Sequence, residues 1–428
     1  MRFLGVTETC DLLALYLELQ AEGHEVRVAV TEPLAGGTGE GLIDRVVDWR
    51  SSLDWVGDDG IIIFESVSED YGAIQDEIRG LGYHVIGGSA FGDRLENDRA
   101  FAQALLAELG FPAGHVHEFA DTEAAIAFIA KNPARYVLKI SGPDHASHDN
   151  YVGLLRDGRD VSAMLEANPV NTGTRFILMD FIEGVEVGVG AYFDGTEFLE
   201  PACLDWEHKR FFAGDMGELT GEMGTVATFE QTGGFFRRTL KLVAPLLRGK
   251  GHIGYVNLNA IVNEAGIWPL EFTCRFGYPG FAVLSPLQRT KWGQLFARMT
   301  GLGSDSFKTE DGWAVGVLIT TPPFPWSRHE VNAPVGLPII MDALDRDDRS
   351  HIHFGEVGRS RGNFVTAGLY GWTMVVTGVA STIAEAQSCA YLRAEKIVVP
   401  NGRYRLDIGD KLVGGELERS KALGIFGG

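Results

Sequence analysis

Within the first 95 residues, short apolar runs alternate with amphipathic stretches: Arg2 to Val6, Leu12 to Gln20, Glu25 to Val30, Ile61 to Phe64, Tyr71 to Leu81 and His84 to Ile86. Continuous apolar runs of this length read as strands covered on both faces, and the amphipathic stretches between them read as crossover helices. The alternation therefore predicts a small doubly wound parallel-sheet domain over residues 1–95 of an α/β protein. The first connection, Thr7-Glu8-Thr9, predicts a helix N-cap. It carries none of the glycines of a dinucleotide fingerprint, which disfavours an NAD site.

The pattern then changes. A helix is expected over Asp98 to Leu109, stopped by Gly110 and Pro112, and another over Thr122 to Ala130 before Asn132-Pro133. Strand-like segments follow at Tyr136 to Ile140 and Phe176 to Phe181, with a short helix near Val161 to Ala167 between them. Period-2 alternation from Glu186 to Cys203 around Phe193-Asp194-Gly195 reads as a hairpin, and Gly254 to Val262 with Ile267 to Phe272 reads as a second strand pair. From about residue 311 the chain is rich in short strands and ends in a helix at Ile383 to Lys396. No internal repeat is present, and the glycine cluster Gly36 to Gly41 reads as a surface loop.

At 428 residues with 45% hydrophobic and 22% charged side chains, the chain has room for about three domains and no disordered tract. A net charge of −21 opposes binding to nucleic acid or to an anionic membrane surface. Cys10, Cys203, Cys274 and Cys389 form no CxxC pair and read as core thiols of a reducing compartment. The opening MRFLGVTETC is too short in apolar residues for a signal peptide, and no window nears 18 uninterrupted apolar residues, so the expectation is a cytoplasmic protein.

Chemistry concentrates in a few stretches. Glu271 and Thr273 lie two apart and share a strand face, which Arg275 continues if the strand persists; Asn259 on the partner strand could meet Glu271 across the hairpin. One carboxylate with neutral oxygens is a half-site for Mg²⁺, while the alternative is a solvated strand face with one acid and one base. Lys139 interrupts an apolar strand and either meets an anion such as a nucleotide phosphate or sits on an edge facing water. Glu186 opens a strand and could accept from a ribose hydroxyl. Asp205-Trp206-Glu207-His208-Lys209-Arg210, with Gly214-Asp215-Met216-Gly217 and Thr220-Gly221-Glu222-Met223-Gly224, reads either as a loop approaching a small polar substrate or as a surface excursion. His145 with His148, and His351 with His353, could each ligate a metal but lack a third ligand at recognised spacing.

Taken in this order, these segments resemble the ATP-grasp ligases, specifically the phosphoribosylamine–glycine ligase family, over roughly residues 84–410. Leu95-Glu96-Asn97-Asp98-Arg99-Ala100-Phe101 is similar to the family's LEGSKAF helix, with Arg99 at a nucleotide-binding lysine. His208-Lys209-Arg210 and the run from Asp215 to Gly224 are similar to its HKR and GPNTGGMG segments, and Glu271-Phe272-Thr273-Cys274-Arg275-Phe276-Gly277 to its EFNCRFG. Val365 to Gly368, Ala386 to Tyr391 and Tyr404 to Gly409 are similar to its closing domain. The resemblance implies an ATP-grasp region over 96–310 with a lid about 113–180, and a mixed α+β domain over 311–428. It implies ATP with Mg²⁺ (or Mn²⁺) as cofactors and a small-molecule carboxylate and amine as substrates. Lys139 and Arg99 would hold phosphates, Asp180 and the Phe181 backbone adenine, Glu186 ribose, and Glu271 with Asn259 or Thr273 the metal. Arg275 would neutralise the acyl phosphate, beside Lys209, Arg210 and Asp215 in the catalytic set. A monomer or homodimer is expected.

The departures from the family are as informative. Its glycine-rich GGREHA loop is Val6-Thr7-Glu8-Thr9-Cys10-Asp11 here, whose Glu8 and Asp11 repel a phosphate. GPEAPL becomes Phe64-Glu65-Ser66-Val67-Ser68, HAGT becomes His353-Phe354-Gly355-Glu356, and PNTGG becomes Glu218-Leu219-Thr220-Gly221-Glu222. The phosphate-covering GLAAGKGV becomes Gly142 to Asp149 without its lysine, and the metal Asn becomes Thr273. The expectation is a ligase for a different amine or amino acid, with true phosphoribosylamine–glycine ligation and a non-catalytic nucleotide-binding regulator as alternatives.

Overall fold

The computed structural model describes residues 1–65, 71–140, 150–170 and 175–427. Two compact units divide the chain: residues 1–105, 186–260 and 270–428 form the first, and residues 106–185 with 261–269 form the second.

The first unit opens with a five-stranded sheet in the order Asp44–Arg45, Glu25–Val30, Arg2–Thr7, Ile61–Phe64, His84–Ile86. Its strands pair in parallel, and its central strands are buried through almost their whole length, as the apolar runs predict. The helix Leu13–Ala21 covers it, but the expected cap at Thr7-Glu8-Thr9 is not made. Leu12 is the N-cap residue, and its N–H is taken by the carboxylate of Glu65 at the end of the neighbouring strand, 3.1 Å away.

A second sheet, most of it in this unit, has eight strands, ordered Gly266–Thr273, Gly254–Asn263, Val185–Phe193, Cys203–Glu207, Gly224–Thr228, Trp313–Thr320, Trp372–Ala380, Ile352–Phe354. The stretch read as a loop over 205–224 is mostly strand: Cys203–Glu207 lies in the middle of this sheet, and Arg210–Phe212 pairs with Met216–Leu219 in a small hairpin. The helix Ile383–Ala394 packs directly on Gly378, where a Cβ would stand 2.1 Å from the Ala386 carbonyl oxygen. The helix expected over 98–109 is Arg99–Glu108, and a further helix, Ala90–Asn97, precedes it. Asp98 interrupts them because its carboxylate turns back to accept the Phe101 N–H at 3.0 Å, capping the second helix. A further short helix, Leu417–Ala422, closes the chain.

The second unit holds a four-stranded antiparallel sheet ordered Val116–Phe119, Phe176–Asp180, Tyr136–Ile140, Tyr151–Val152. Thr122–Lys131 and Arg159–Ala167 pack on it through Ala125, Ile129, Val161 and Leu165 against Tyr136, Leu138, Phe176 and Leu178. Lys139 is thus on an inner strand, with Ile177 opposite, rather than on a sheet edge. Among the described residues, no helix is long and apolar enough to cross a membrane.

Candidate active site

One face of the eight-stranded sheet is hollow because small residues meet there. Gly188 pairs with Asp205, Asp205 with Ala227, Glu207 with Thr225, and Thr225 with Gly316. Strand alternation puts all of these on the same face. The glycines let longer side chains lie over the strands: a Cβ on Gly188 would stand 2.1 Å from Asp205 Oδ1, and one on Gly190 1.8 Å from the Tyr255 hydroxyl. The outcome is a cavity of about 360 Å³ floored by Asp205, Glu207, Thr225, Tyr255, Asn257 and Asn259. Its walls are the turn carrying Thr7, Glu8, Thr9 and Asp11, then Glu65, the segment Gly277–Gly280, Tyr370 and Trp372.

Glu271, Thr273 and Arg275 line the same cavity, although the strand ends at Thr273 and Arg275 lies beyond it. Arg275 Nε pairs with Glu96 Oε1 at 3.2 Å, while Glu96 Oε2 accepts the Cys274 N–H at 2.8 Å. Lys209 sits among three carboxylates, with Nζ 3.0 Å from Glu271, 3.2 Å from Glu186 and 3.3 Å from Glu207. Burial works against its charge, but Glu207, Glu186 and Glu271 together hold the ammonium well above the ordinary lysine range. Asn259 does not reach across to Glu271 as a hydrogen-bond partner; its Nδ2 donates to Glu186 at 3.0 Å. Its Oδ1 is buried with no partner among the described residues. Burial lowers Arg99, and the nearby Glu271 opposes that.

This donor set fits a hard cation. The Glu271 carboxylate, the Thr273 hydroxyl and the unpartnered Asn259 Oδ1 are oxygen donors on one cavity, as Mg²⁺ or Mn²⁺ requires. No group of three His, Cys, Asp or Glu arranged to hold a metal occurs among the described residues, so substrate phosphates or water would complete the shell. His351 and His353 instead both meet the Thr377 hydroxyl at 3.2 Å. His145 and His148 lie outside the described residues, as does the loop of Gly142 to Asp149.

The opposite wall is acidic. Glu65 accepts from Thr7 Oγ1 at 2.9 Å, Tyr16 OH at 2.5 Å and the Leu12 N–H. Burial and then Asp11 nonetheless push it up to about 8. Burial raises Asp11 as well. On the floor, burial and then Glu207 push Asp205 up to about 7, and burial with Glu207 and Asp205 raises Glu222 well above the carboxylate range. Tyr370 and Trp372 are held by Glu356, whose carboxylate accepts the N–H groups of Leu369 at 2.6 Å, Tyr370 at 2.9 Å, Gly371 and Trp372 at 3.1 Å.

Two members of the expected catalytic set are not brought to this cavity. Arg210 donates to the Gly217 carbonyl at 2.8 Å, and Asp215 pairs with Lys411 and, at 3.0 Å, with the fully buried Arg405. They tie the 210–219 hairpin to the C-terminal segment, where Arg405 also pairs with Asp407 at 2.8 Å. In the second unit, Asp180 lies 3.4 Å from His117 Nε2, and the Phe181 ring is covered by the Arg135 guanidinium at 3.4 Å from its centroid. Glu65, Asp205 and Glu222 are cavity residues that the sequence reading does not single out. The signal for Asp205 is the Val187-Gly188-Val189-Gly190 run beside it, which leaves room for a side chain over that strand.

Residues 97–281 match the family model described as phosphoribosylglycinamide synthetase, ATP-grasp (A) domain. Phosphoribosylamine–glycine ligase of Neisseria meningitidis serogroup B is 27% identical over 353 residues, covering 79% of this chain and 81% of that one. The enzyme of that name from Yersinia pestis is 28% identical over 355 residues, with the same coverage of 79% and 81%. Among solved structures, phosphoribosylamine–glycine ligase from Thermotoga maritima gives a TM-score of 0.70 at 20% identity, covering 95% of this chain and 100% of that one. N5-carboxyaminoimidazole ribonucleotide synthetase from Thermotoga maritima gives 0.58 at 15% identity, covering 93% and 99%. The fold is therefore ATP-grasp, preceded by a parallel-sheet domain, and the chain is an enzyme of the ATP-dependent ligase class that forms carbon–nitrogen bonds. Within that class it resembles phosphoribosylamine–glycine ligase.

Proposed function

We propose that this cavity joins a small carboxylate to a primary amine at the expense of ATP. The observation that carries the reading is the convergence of Lys209, Glu271, Thr273, Asn259 and Arg275 on one water-accessible hollow. In the first step a substrate carboxylate oxygen bonds to the γ-phosphorus and ADP leaves. In the second the amine nitrogen bonds to the acyl carbon, phosphate leaves, and the amine gives up its proton. No protein nucleophile is needed, so the side chains act by positioning and by neutralising charge. Lys139 and Arg99 hold phosphates, Asp180 and the Phe181 backbone meet adenine, and Glu186 meets ribose. Glu271 with Asn259 and Thr273 would hold Mg²⁺ or Mn²⁺, which when bound neutralises phosphate charge. Arg275 faces the developing acyl phosphate. Arg210 and Asp215 act through the hairpin they secure. We take the chain to work in the cytoplasm as a monomer or homodimer, with domains over 1–95, 96–310 and 311–428.

The names of the relatives support glycine and phosphoribosylamine as the substrates. A second reading, an amine without a phosphate, is favoured by Glu8 and Asp11 along the first-sheet wall. A coupled assay with glycine and freshly generated phosphoribosylamine separates the two: efficient glycinamide ribonucleotide formation removes the second reading, and its absence with turnover of another amine removes the first. In whichever assay is active, Glu271→Gln is expected to reduce ADP release at least about a hundredfold. Unchanged release would take Glu271 out of the site.

A further inference from the structure

Six polar atoms on residues that line the cavity are buried and have no hydrogen-bond partner among the described residues: besides Asn259 Oδ1 and Trp372 Nε1, they are Asp205 Oδ1, Glu222 Oε1, Thr225 Oγ1 and the Tyr278 hydroxyl. Two of them are carboxylate oxygens on side chains of residues only 7% and 9% exposed. Buried polar atoms are nearly always paired, so a set of unpaired ones on residues that line a common hollow calls for a donor from outside the chain. The second oxygen of Asp205 accepts from Asn257 Nδ2 at 2.6 Å, which fixes the carboxylate in place. The neighbouring ammonium of Lys209 is already committed to Glu186, Glu207 and Glu271.

A reacting amine must be neutral to attack an acyl carbon, and a pair of carboxylates beside it would keep it protonated. These acids are therefore suited to a cationic group other than the one that reacts. We propose that Asp205 and Glu222 bind a second, non-reacting ammonium group, so that the amine substrate is an alkyl diammonium. The proposal rests on the ligase reading and names its amine. Two carboxylate oxygens with the Thr225 and Tyr278 hydroxyls offer more than the three acceptors that an alkylammonium needs.

The test is calorimetric titration of 1,4-diaminobutane into the full chain without ATP, alongside n-butylamine, glycine and Mg²⁺. Diaminobutane is expected to bind about tenfold or more tightly than n-butylamine, and Asp205→Asn and Glu222→Gln are each expected to weaken it by about tenfold or more. Thr225→Val, which leaves both acids in place, is expected to weaken it less, and thermal unfolding of each variant checks that the fold is kept. Absence of diaminobutane binding, equal binding of n-butylamine, or unchanged affinity in both acid variants overturns the proposal. So does loss of glycine or Mg²⁺ binding in those variants without a diamine effect. Diamine binding with no ADP release in the presence of any carboxylate would count against the ligase reading alone; glycinamide ribonucleotide formation without diamine binding would count against this proposal alone.

Discussion

Two sets of acids in and beside the cavity are alike in kind and treated oppositely. In one, Glu186, Glu207 and Glu271 surround Lys209, so three carboxylates share an ammonium supplied by the chain. In the other, Glu65 and Asp11 on the wall and Asp205 and Glu222 on the floor have no cation paired to them among the described residues, and burial raises all four. The first arrangement is complete in itself and holds its geometry. The second stores an electrostatic debt that a ligand or a proton must settle. Acidity alone therefore says little; what differs between the two sets is whether the chain itself supplies the counter-charge.

The largest effect should come from breaking the balanced set. Lys209→Met leaves three carboxylates facing one another without their ammonium. Because Glu186 and Glu271 are about half exposed, the loss in unfolding free energy should be about 2 to 4 kcal/mol, rather than the full value for a deeply buried pair. Urea denaturation measures it, and a change under about 0.5 kcal/mol would mean that the cluster is an ordinary surface ion pair.

A smaller effect should come from the unbalanced set and should depend on pH. Glu65 titrates at about 8 in the fold, against about 4.3 in an unfolded chain. Between those values the fold keeps a proton that the unfolded chain has released, so raising the pH lowers stability until the folded group also ionises. Asp205 and Glu356, both at about 7, act in the same direction. The buried His208, His252 and His351 are pushed down and oppose this, but only below about 6.5. Stability is thus expected to fall from pH 6.5 to 8.5, and Glu65→Gln to remove about 2 kcal/mol of that fall. Equal slopes for the two proteins in denaturant titrations across this range would show that Glu65 is not the titrating group.

The smallest effect sharpens the contrast. Thr225→Val exchanges an unpartnered buried hydroxyl for a methyl group of similar shape, so the chain without ligand should gain up to about 1 kcal/mol in thermal or urea unfolding. A loss of stability would mean that the hydroxyl is already satisfied.

How far this contrast is legible in the sequence depends on the kind of pattern each part leaves. The parallel sheet is plain because Ile61–Phe64 and Glu25–Val30 are apolar runs whose length and spacing leave one solution. Glu271 and Thr273 are legible through strand parity. The helix over 98–109 is legible through its stops, whereas Ala90–Asn97, set apart from it where Asp98 turns back to accept the Phe101 N–H, is not. Asp205 and Glu222 are hidden for a different reason: charged residues crowd the stretch from 205 to 224, and nothing local tells that Cys203–Glu207 is a central strand. Long-range partners such as Arg405 for Asp215 leave no trace in spacing at all.

The carboxylate of Glu356 occupies the place where four successive N–H groups, from Leu369 to Trp372, point to one spot. Such a ring of backbone donors is the usual seat of an anion. Here the seat is filled from within, by a side chain of the same protein, and Gly368 admits it so closely that a Cβ there would stand 2.2 Å from the Glu356 carboxyl carbon. An incoming phosphate would find no vacancy along that wall. The chain carries its own permanent competitor for that seat, so these four donors are spoken for before any anion arrives.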